Sequence, residues 1–473
     1  MVFNVLPREA AWVLTGILVF YFIFSPLEDS LWVFIASIPL FVALPITETF
    51  DSMSNWRLLL VVLFLVWLKQ TREVRLPTSP CGKPDFRLMI LGSIFLGLGA
   101  LSLINAVNVV VGAKKLLYFI NIFMLFFVVR SAVKDKKSLL KISRAVLVAL
   151  SLTLIVGYAQ FMAVFFAPLY TFWQFWAGKV IPVFYGQGLG NLLSYSNTWF
   201  SYYDSQPPTL RMFSVFPDSH SFSLFLIIGL PFLLTMILRR PSPSQIFFQK
   251  TWAGGGKRKL LFVGYLVLII IFLTLIFSGS RGIWVSALAL LLFSLIITNL
   301  PRISRIINFT NKYISDICGK FAQIRETKIL QLVSGSLIIF FLLFPISSWF
   351  LLLSQKAQLK DPALSEDLFL VFERAKSITD LTEISARSRL EIWRRTIDSI
   401  AARPVLGVGL GNYPIILGEE VSAAKRGASA HNLYFEIIAE MGVFALLILL
   451  AVFWEVLKTA WPGNVGSPTS DKL

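Results

Sequence analysis

Histidine and cysteine are nearly absent. His220 and His431, Cys81 and Cys318 are the full set in 473 residues, and no His/Cys spacing suited to a metal occurs. An Asp-x-Asp pair, a phosphate-binding loop and a dinucleotide fingerprint are missing too. These absences argue against a metal-dependent, nucleotide-sugar enzyme, and neither metal nor cofactor is expected. Both cysteines fall in basic loops assigned to the cytoplasm, so two free thiols and no disulfide are expected. Charge is scarce as well, at 15% of residues, and the excess is basic, a net +17. Much of that excess sits in short loops between apolar runs, where the positive-inside rule accounts for it without nucleic acid as a partner.

What is plentiful is hydrophobic sequence, 56% of residues with a mean hydropathy of +0.75. No aqueous core hides that much apolar surface, and runs of about 17–25 apolar residues cross a bilayer as helices that satisfy their own backbone. The expected fold class is therefore all-α, a polytopic transmembrane helix bundle of about 10–12 spans with a large non-cytoplasmic, partly helical loop. Four basic loops carry the topology: Lys69–Arg87, Arg130–Arg144, Arg239–Lys259 and Pro301–Lys328. An even number of apolar runs separates each from the next. Placing all four inside puts 167–221, the Ser278–Gly282 turn and 351–430 together on the outer side. The expected organisation is a bundle over 1–350, an outer loop over 351–430, a final transmembrane helix over 431–458 and a tail over 459–473. Three short N-terminal runs, Ala10–Phe24, Leu31–Leu44 and Trp56–Leu68, leave the parity of the first spans open.

Within the long loop, Leu390, Trp393, Ile397 and Ile400 recur at helical spacing across 386–402, predicting an amphipathic helix with Trp393 on its apolar side. Arg403-Pro404 ends it, and Gly407-Val408-Gly409-Leu410-Gly411 predicts a turn or tight backbone passage.

Chemistry-bearing residues gather on the outer side. Arg281 lies in Ser278-Gly279-Ser280-Arg281-Gly282, a near-loopless joint where Ser and Gly can open a helix N-terminus. Amides plus a guanidinium there suit phosphate, against the simpler reading of an arginine snorkelling to headgroups. Arg211, Asp218 and His220 form a polar lip before a span; a structural Arg211–Asp218 bridge competes with a second anion-binding arginine. His431 opens the last apolar segment, its ordinary pKa near 6.5 leaving it mostly neutral and able to accept a proton at pH 7; interfacial capping is the alternative. Asn432, Glu436 and Glu440 follow at intervals of four, and a carboxylate inside a span is seldom kept without a partner or a task. Lys114 and Lys115 read as snorkelling lysines. Arg389, beside Leu390, is the preferred arginine of the loop.

Taken in order, Ser278-Gly279-Ser280-Arg281-Gly282, Arg389-Leu390-Glu391-Ile392-Trp393 through Arg403-Pro404-Val405-Leu406-Gly407-Val408-Gly409, and His431-Asn432 followed by Glu440-Met441-Gly442 resemble the bacterial O-antigen ligase and O-antigen polymerase superfamily. The resemblance implies a metal-independent, inverting glycosyltransferase of the inner membrane. Its donor would be a glycan on undecaprenyl diphosphate at the periplasmic face, and its acceptor a hydroxyl of lipid A-core, another glycan or a protein. By that resemblance His431 is the base, and Arg281 and Arg211 hold the diphosphate. Arg389, Asn432, Glu436 and His220 are supporting candidates, and the three basic residues Arg211, Arg281 and His431 are expected to share one water-accessible pocket. At Phe216-Pro217-Asp218-Ser219-His220 the chain departs from the Asn-Pro-Asn type segment of many relatives. A polymerase using a second lipid-linked repeat unit is the alternative, and a secondary transporter a more distant one.

Overall fold

A computed structural model describes residues 7–47, 51, 53–73, 86–133, 135–194, 199–202, 207–238, 256–292, 328–358, 384–418 and 429–460. Cys81, Cys318, the basic stretches 239–255 and 301–327, and positions 359–383 and 419–428 of the long loop lie outside the described residues.

The chain is helical, as expected for an all-α membrane protein. In order, the helices are α1 (Ala10–Phe24), α2 (Leu27–Ala36), α3 (Trp56–Glu73), α4 (Phe86–Ser102), α5 (Val109–Ala132) and α6 (Lys136–Ala163). Three short ones follow, α7 (Leu169–Phe175), α8 (Ile181–Tyr185) and α9 (Gln187–Ser194), then α10 (Ser219–Leu238), α11 (Gly256–Phe277) and α12 (Arg281–Leu292). The last are α13 (Lys328–Leu342), α14 (Phe344–Gln358), α15 (Ile384–Ala402), α16 (Leu433–Met441) and α17 (Val443–Ala460). Among the described residues, four helices are long and apolar enough to cross a membrane: Arg87–Asn105, Val109–Ala132, Lys137–Ala163 and Ser334–Gln358. Helix α1 leaves Ile17, Phe20 and Phe24 more than half exposed, a surface that suits lipid rather than water.

Two units partition the chain. Unit 1 comprises Met1–Leu59 and Ala132–Ile378, and unit 2 comprises Leu60–Ser131 and Thr379–Leu473.

In unit 1, α6, α10, α11 and α14 share a core of Leu150, Phe161, Phe222, Leu226, Ile271, Phe272 and Phe277. Gly229 lets α10 approach α6, since a Cβ there would stand 2.4 Å from Leu150. The start of α6 is fixed by a capping box, Asp135 accepting from the Ser138 amide at 2.7 Å while the Ser138 hydroxyl accepts from the Asp135 amide. The only strands among the described residues are the pairs Ala43–Leu44 with Met53–Ser54 and Phe200–Ser201 with Thr209–Leu210. The second pair aligns Phe200 with Leu210 and Ser201 with Thr209, so the chain leaves the hairpin directly into Arg211. Gln160 of α6 accepts from the Phe213 and Ser214 amides at 3.1 and 2.9 Å, fixing the segment that follows.

Several expected boundaries move. The run expected over Leu31–Leu44 is α-helical only to Ala36 and then makes a single 3-10 turn over Ile38–Leu40, because Pro39 and Pro45 cannot continue the α-helix. Helix α14 runs on to Gln358, past the expected loop start at Leu351, and Gln358 there accepts from the Leu169 amide at 2.8 Å.

In unit 2, Leu410, Ile437, Met441 and Ala445 pack with Phe95, Leu98, Leu116 and Phe119. The predicted amphipathic helix is present as α15, with Trp393 on its packed side as expected. Thr396 is fully buried and bonded to Tyr413 at 2.5 Å, with Ile392 and Ile400 packed around Tyr413. Leu390 and Ile397 are about half exposed, whereas Trp393, bonded to the Ala430 carbonyl, and Ile400 pack inward.

The expected single final helix is two helices broken at Gly442. Its φ of +84° is the left-handed region, and the Gly442 amide caps the Ile438 carbonyl. The break leaves backbone groups that the glycine segment takes up. Val408 and Gly409 amides donate to the Ala439 and Glu440 carbonyls at 2.9 and 3.0 Å, and the Val443 amide donates to the Pro404 carbonyl at 2.8 Å. Buried Asn412 and exposed Asn105 tie the same segment to the α4–α5 corner, through the Asn108 amide at 2.8 Å and the Gly407 carbonyl at 3.0 Å. A Cβ at Gly442 would stand 1.9 Å from the Val405 carbonyl oxygen. Gly442→Ala is thus expected to lower the thermal midpoint in detergent, with strain alone costing about 1–3 kcal/mol. Gly97→Ala on α4, where nothing lies within 4 Å, should not.

Candidate active site

The predicted residues fall into two groups, one in each unit. In unit 1 the Ser278–Gly282 joint is built as expected. Helix α11 ends at Phe277, whose carbonyl accepts from the Met212 amide at 3.1 Å, stitching the segment after Arg211 to the joint. Gly279 turns the chain at φ +61°. The Ser280 carbonyl then accepts from the Ile283 and Trp284 amides, so Ser280 caps α12 and Arg281 is its first residue.

Arg211 comes to the same corner. Its Nε donates to Ser201 Oγ at 3.1 Å, and its aliphatic stem lies against Gly279, where a Cβ would be 3.4 Å from both Cγ and Cδ. His220 arrives from the first turn of α10, its Nδ1 sharing a 2.9 Å hydrogen bond with Ser280 Oγ. Ser223 and Ser278 bond below it at 2.7 Å. Asp218 serves as cap to α10, one carboxylate oxygen accepting from the His220 and Ser221 amides at 2.8 Å each. Arg211 and His220 thus reach the joint that opens α12 at Arg281, beside the N-terminus of α10. Aligned peptide dipoles place partial positive charge at such termini, and fixed guanidinium forks match phosphate oxygens. The corner is equipped to hold an anion.

Unit 2 holds the remaining predicted residues. His431 sits just before α16 in the left-handed region, φ +49°, a conformation uncommon for a residue with a Cβ and enriched at functional positions. Asn432 is the cap of α16, its Oδ1 accepting from the Tyr434 and Phe435 amides at 3.0 and 3.3 Å. Partial desolvation, then the Arg389 guanidinium, hold the His431 pKa below its ordinary 6.5, and Glu436 pulls it the other way. The imidazole is therefore neutral at pH 7 and can take a proton. Since Arg389 favours the neutral ring, Arg389→Gln should raise the His431 pKa. If His431 is the base, the acid limb of the rate-against-pH curve then moves to higher pH; an unmoved limb in the variant would contradict that assignment.

One participant escaped the sequence reading. Lys115, expected to snorkel, donates to both Glu436 and Glu440 at 2.8 Å. Glu440 is 1% exposed, so this is the partner the in-span carboxylates required. No local pattern could have revealed it, because the lysine lies 321 and 325 positions from its acids. Only the four-residue recurrence of the acids hinted that something must face them.

Residues 266–450 match the family model described as O-antigen ligase (Wzy_C). The match takes in Arg281, Arg389, His431, Asn432 and Glu436, while Arg211 and His220 precede it. No curated protein and no solved structure matches the chain. Residues 266–450 are thus similar to the O-antigen ligase family, within a helical chain that has membrane-length helices.

Proposed function

We propose that the chain moves a glycan from undecaprenyl diphosphate to an acceptor hydroxyl at the periplasmic face of a bacterial inner membrane. The acceptor class is lipid A-core, another glycan or a protein. The observation that supports this reading is the unit 1 corner, where the Arg211 stem lies against Gly279, two residues before Arg281 opens α12, and His220 of α10 reaches Ser280.

In this mechanism the arginines engage the diphosphate, and His431 takes the acceptor hydroxyl proton. The freed oxygen attacks the anomeric carbon from the face opposite the diphosphate. The bond from that carbon to the phosphate oxygen breaks, its electron pair leaving with undecaprenyl diphosphate, and the configuration inverts. A diphosphate is a good leaving group whose growing charge fixed cations stabilise, so electrostatics and placement supply most of the acceleration. Arg389 and Glu436 tune the base, Asn432 holds the turn that presents it, and His220 supports the anion corner.

The test is the full chain in vesicles with an undecaprenyl-diphosphate-linked glycan, alone and with lipid A-core added. Free undecaprenyl diphosphate together with glycan on the added acceptor is the expected result. Lengthening of the lipid-linked glycan with donor alone would instead identify a polymerase. Absence of undecaprenyl diphosphate release under both conditions would contradict the proposal.

A further inference from the structure

Lys115 of α5 binds two carboxylates of α16 at once. Its Nζ lies 2.8 Å from Glu436 Oε1 and 2.8 Å from Glu440 Oε2. Glu440 is sealed at 1% exposure, whereas the Glu436 side chain remains 26% exposed, on the first turn of α16. Both backbone carbonyls at 439 and 440 are held by the glycine segment, so the inner end of α16 is already fixed without Lys115. What remains for the lysine is the outer turn, which carries Glu436 and follows directly on His431.

We propose that Lys115 is a positioning residue for His431: it locks the face that α16 presents, holding Glu436 on the turn that follows His431 with its charge partly compensated. The inference rests on the proposed role of His431 as base. The charged and titratable groups acting around this point are Arg389 of α15, Glu436 and Glu440 of α16, Lys115 of α5 and Tyr413 of the preceding segment. Of these, Lys115 and Glu440 reach His431 through Glu436.

Because the chain has only two histidines, His220→Asn with isotope-labelled histidine gives a single imidazole whose titration is read by NMR. In that background Glu436→Gln, which keeps the Lys115–Glu440 pair, should move the His431 titration to lower pH. Lys115→Met with Glu440→Gln removes one buried charge of each sign and leaves Glu436 uncompensated, so the titration should move to higher pH. If that pair does not fold, Lys115→Gln with Glu440→Gln carries the same test. In the chain with His220 intact, the charge-removal pair should also turn over about tenfold more slowly, through lost placement of the base. Opposite movements support the inference, and a titration left at its starting pH in either folded variant overturns it. Wild-type transfer by His431→Ala would sink the base reading and leave the titration result standing.

Discussion

His431→Ala should reduce glycan transfer by about 100- to 10,000-fold, the usual contribution of a positioned general base, while the protein remains folded in the membrane. The side chain is exposed at the start of α16, where Asn432, not His431, supplies the helix cap. Truncating it therefore removes chemistry rather than packing. Its backbone complicates the reading, because φ of +49° strains alanine more than histidine. His431→Asn separates the two effects. Asparagine tolerates the left-handed region and keeps a polar side chain, but it cannot accept a proton near neutral pH. The two variants should lose activity alike. If the asparagine variant turned over near the wild-type rate, the residue would be conformational and not a base.

Arg281→Ala should slow transfer by about 100- to 1,000-fold, the scale on which a preorganised group facing developing charge contributes. The guanidinium is the first side chain of α12 and is half-buried, so it meets a phosphate already biased toward that terminus. Arg281→Lys should recover part of the loss, because a point charge remains but the two-pronged match to phosphate oxygens does not. Initial rates in vesicles at saturating donor, with the inserted protein quantified, measure both. A lysine variant equal to wild type would mean that charge alone matters there; an alanine variant equal to wild type would remove the diphosphate role.

Class and local geometry were legible from residues near one another in the chain. Apolar run length gave the helical membrane class, and the Ser-Gly-Ser-Arg-Gly joint announced the start of a helix at Arg281. The glycines of 407–411 announced a tight passage, which the backbone bears out with φ values of +64°, +95° and +76°. What could not be read depends on distant partners. Lys115 looked like a snorkelling side chain because nothing near it in sequence carries the opposite charge. The break at Gly442 looked like an uninterrupted span because the groups that satisfy its freed carbonyls and amide come from 404–409. On α15 the hydrophobic pattern favoured Leu390 and Ile397, but the inward position belongs to Thr396, whose hydroxyl is satisfied by Ile392 and Tyr413. Apolar periodicity locates a helix well; where lipid or loops cover it, it locates the buried face poorly.

The most direct measurement is binding of undecaprenyl diphosphate itself, which needs neither the sugar nor the acceptor to be known. If unit 1 arginines hold the leaving group and His431 only moves the proton, wild type and His431→Ala should bind it alike, while Arg281→Ala binds it far more weakly. Equal binding by all three, or weak binding confined to His431→Ala, would contradict that division of labour.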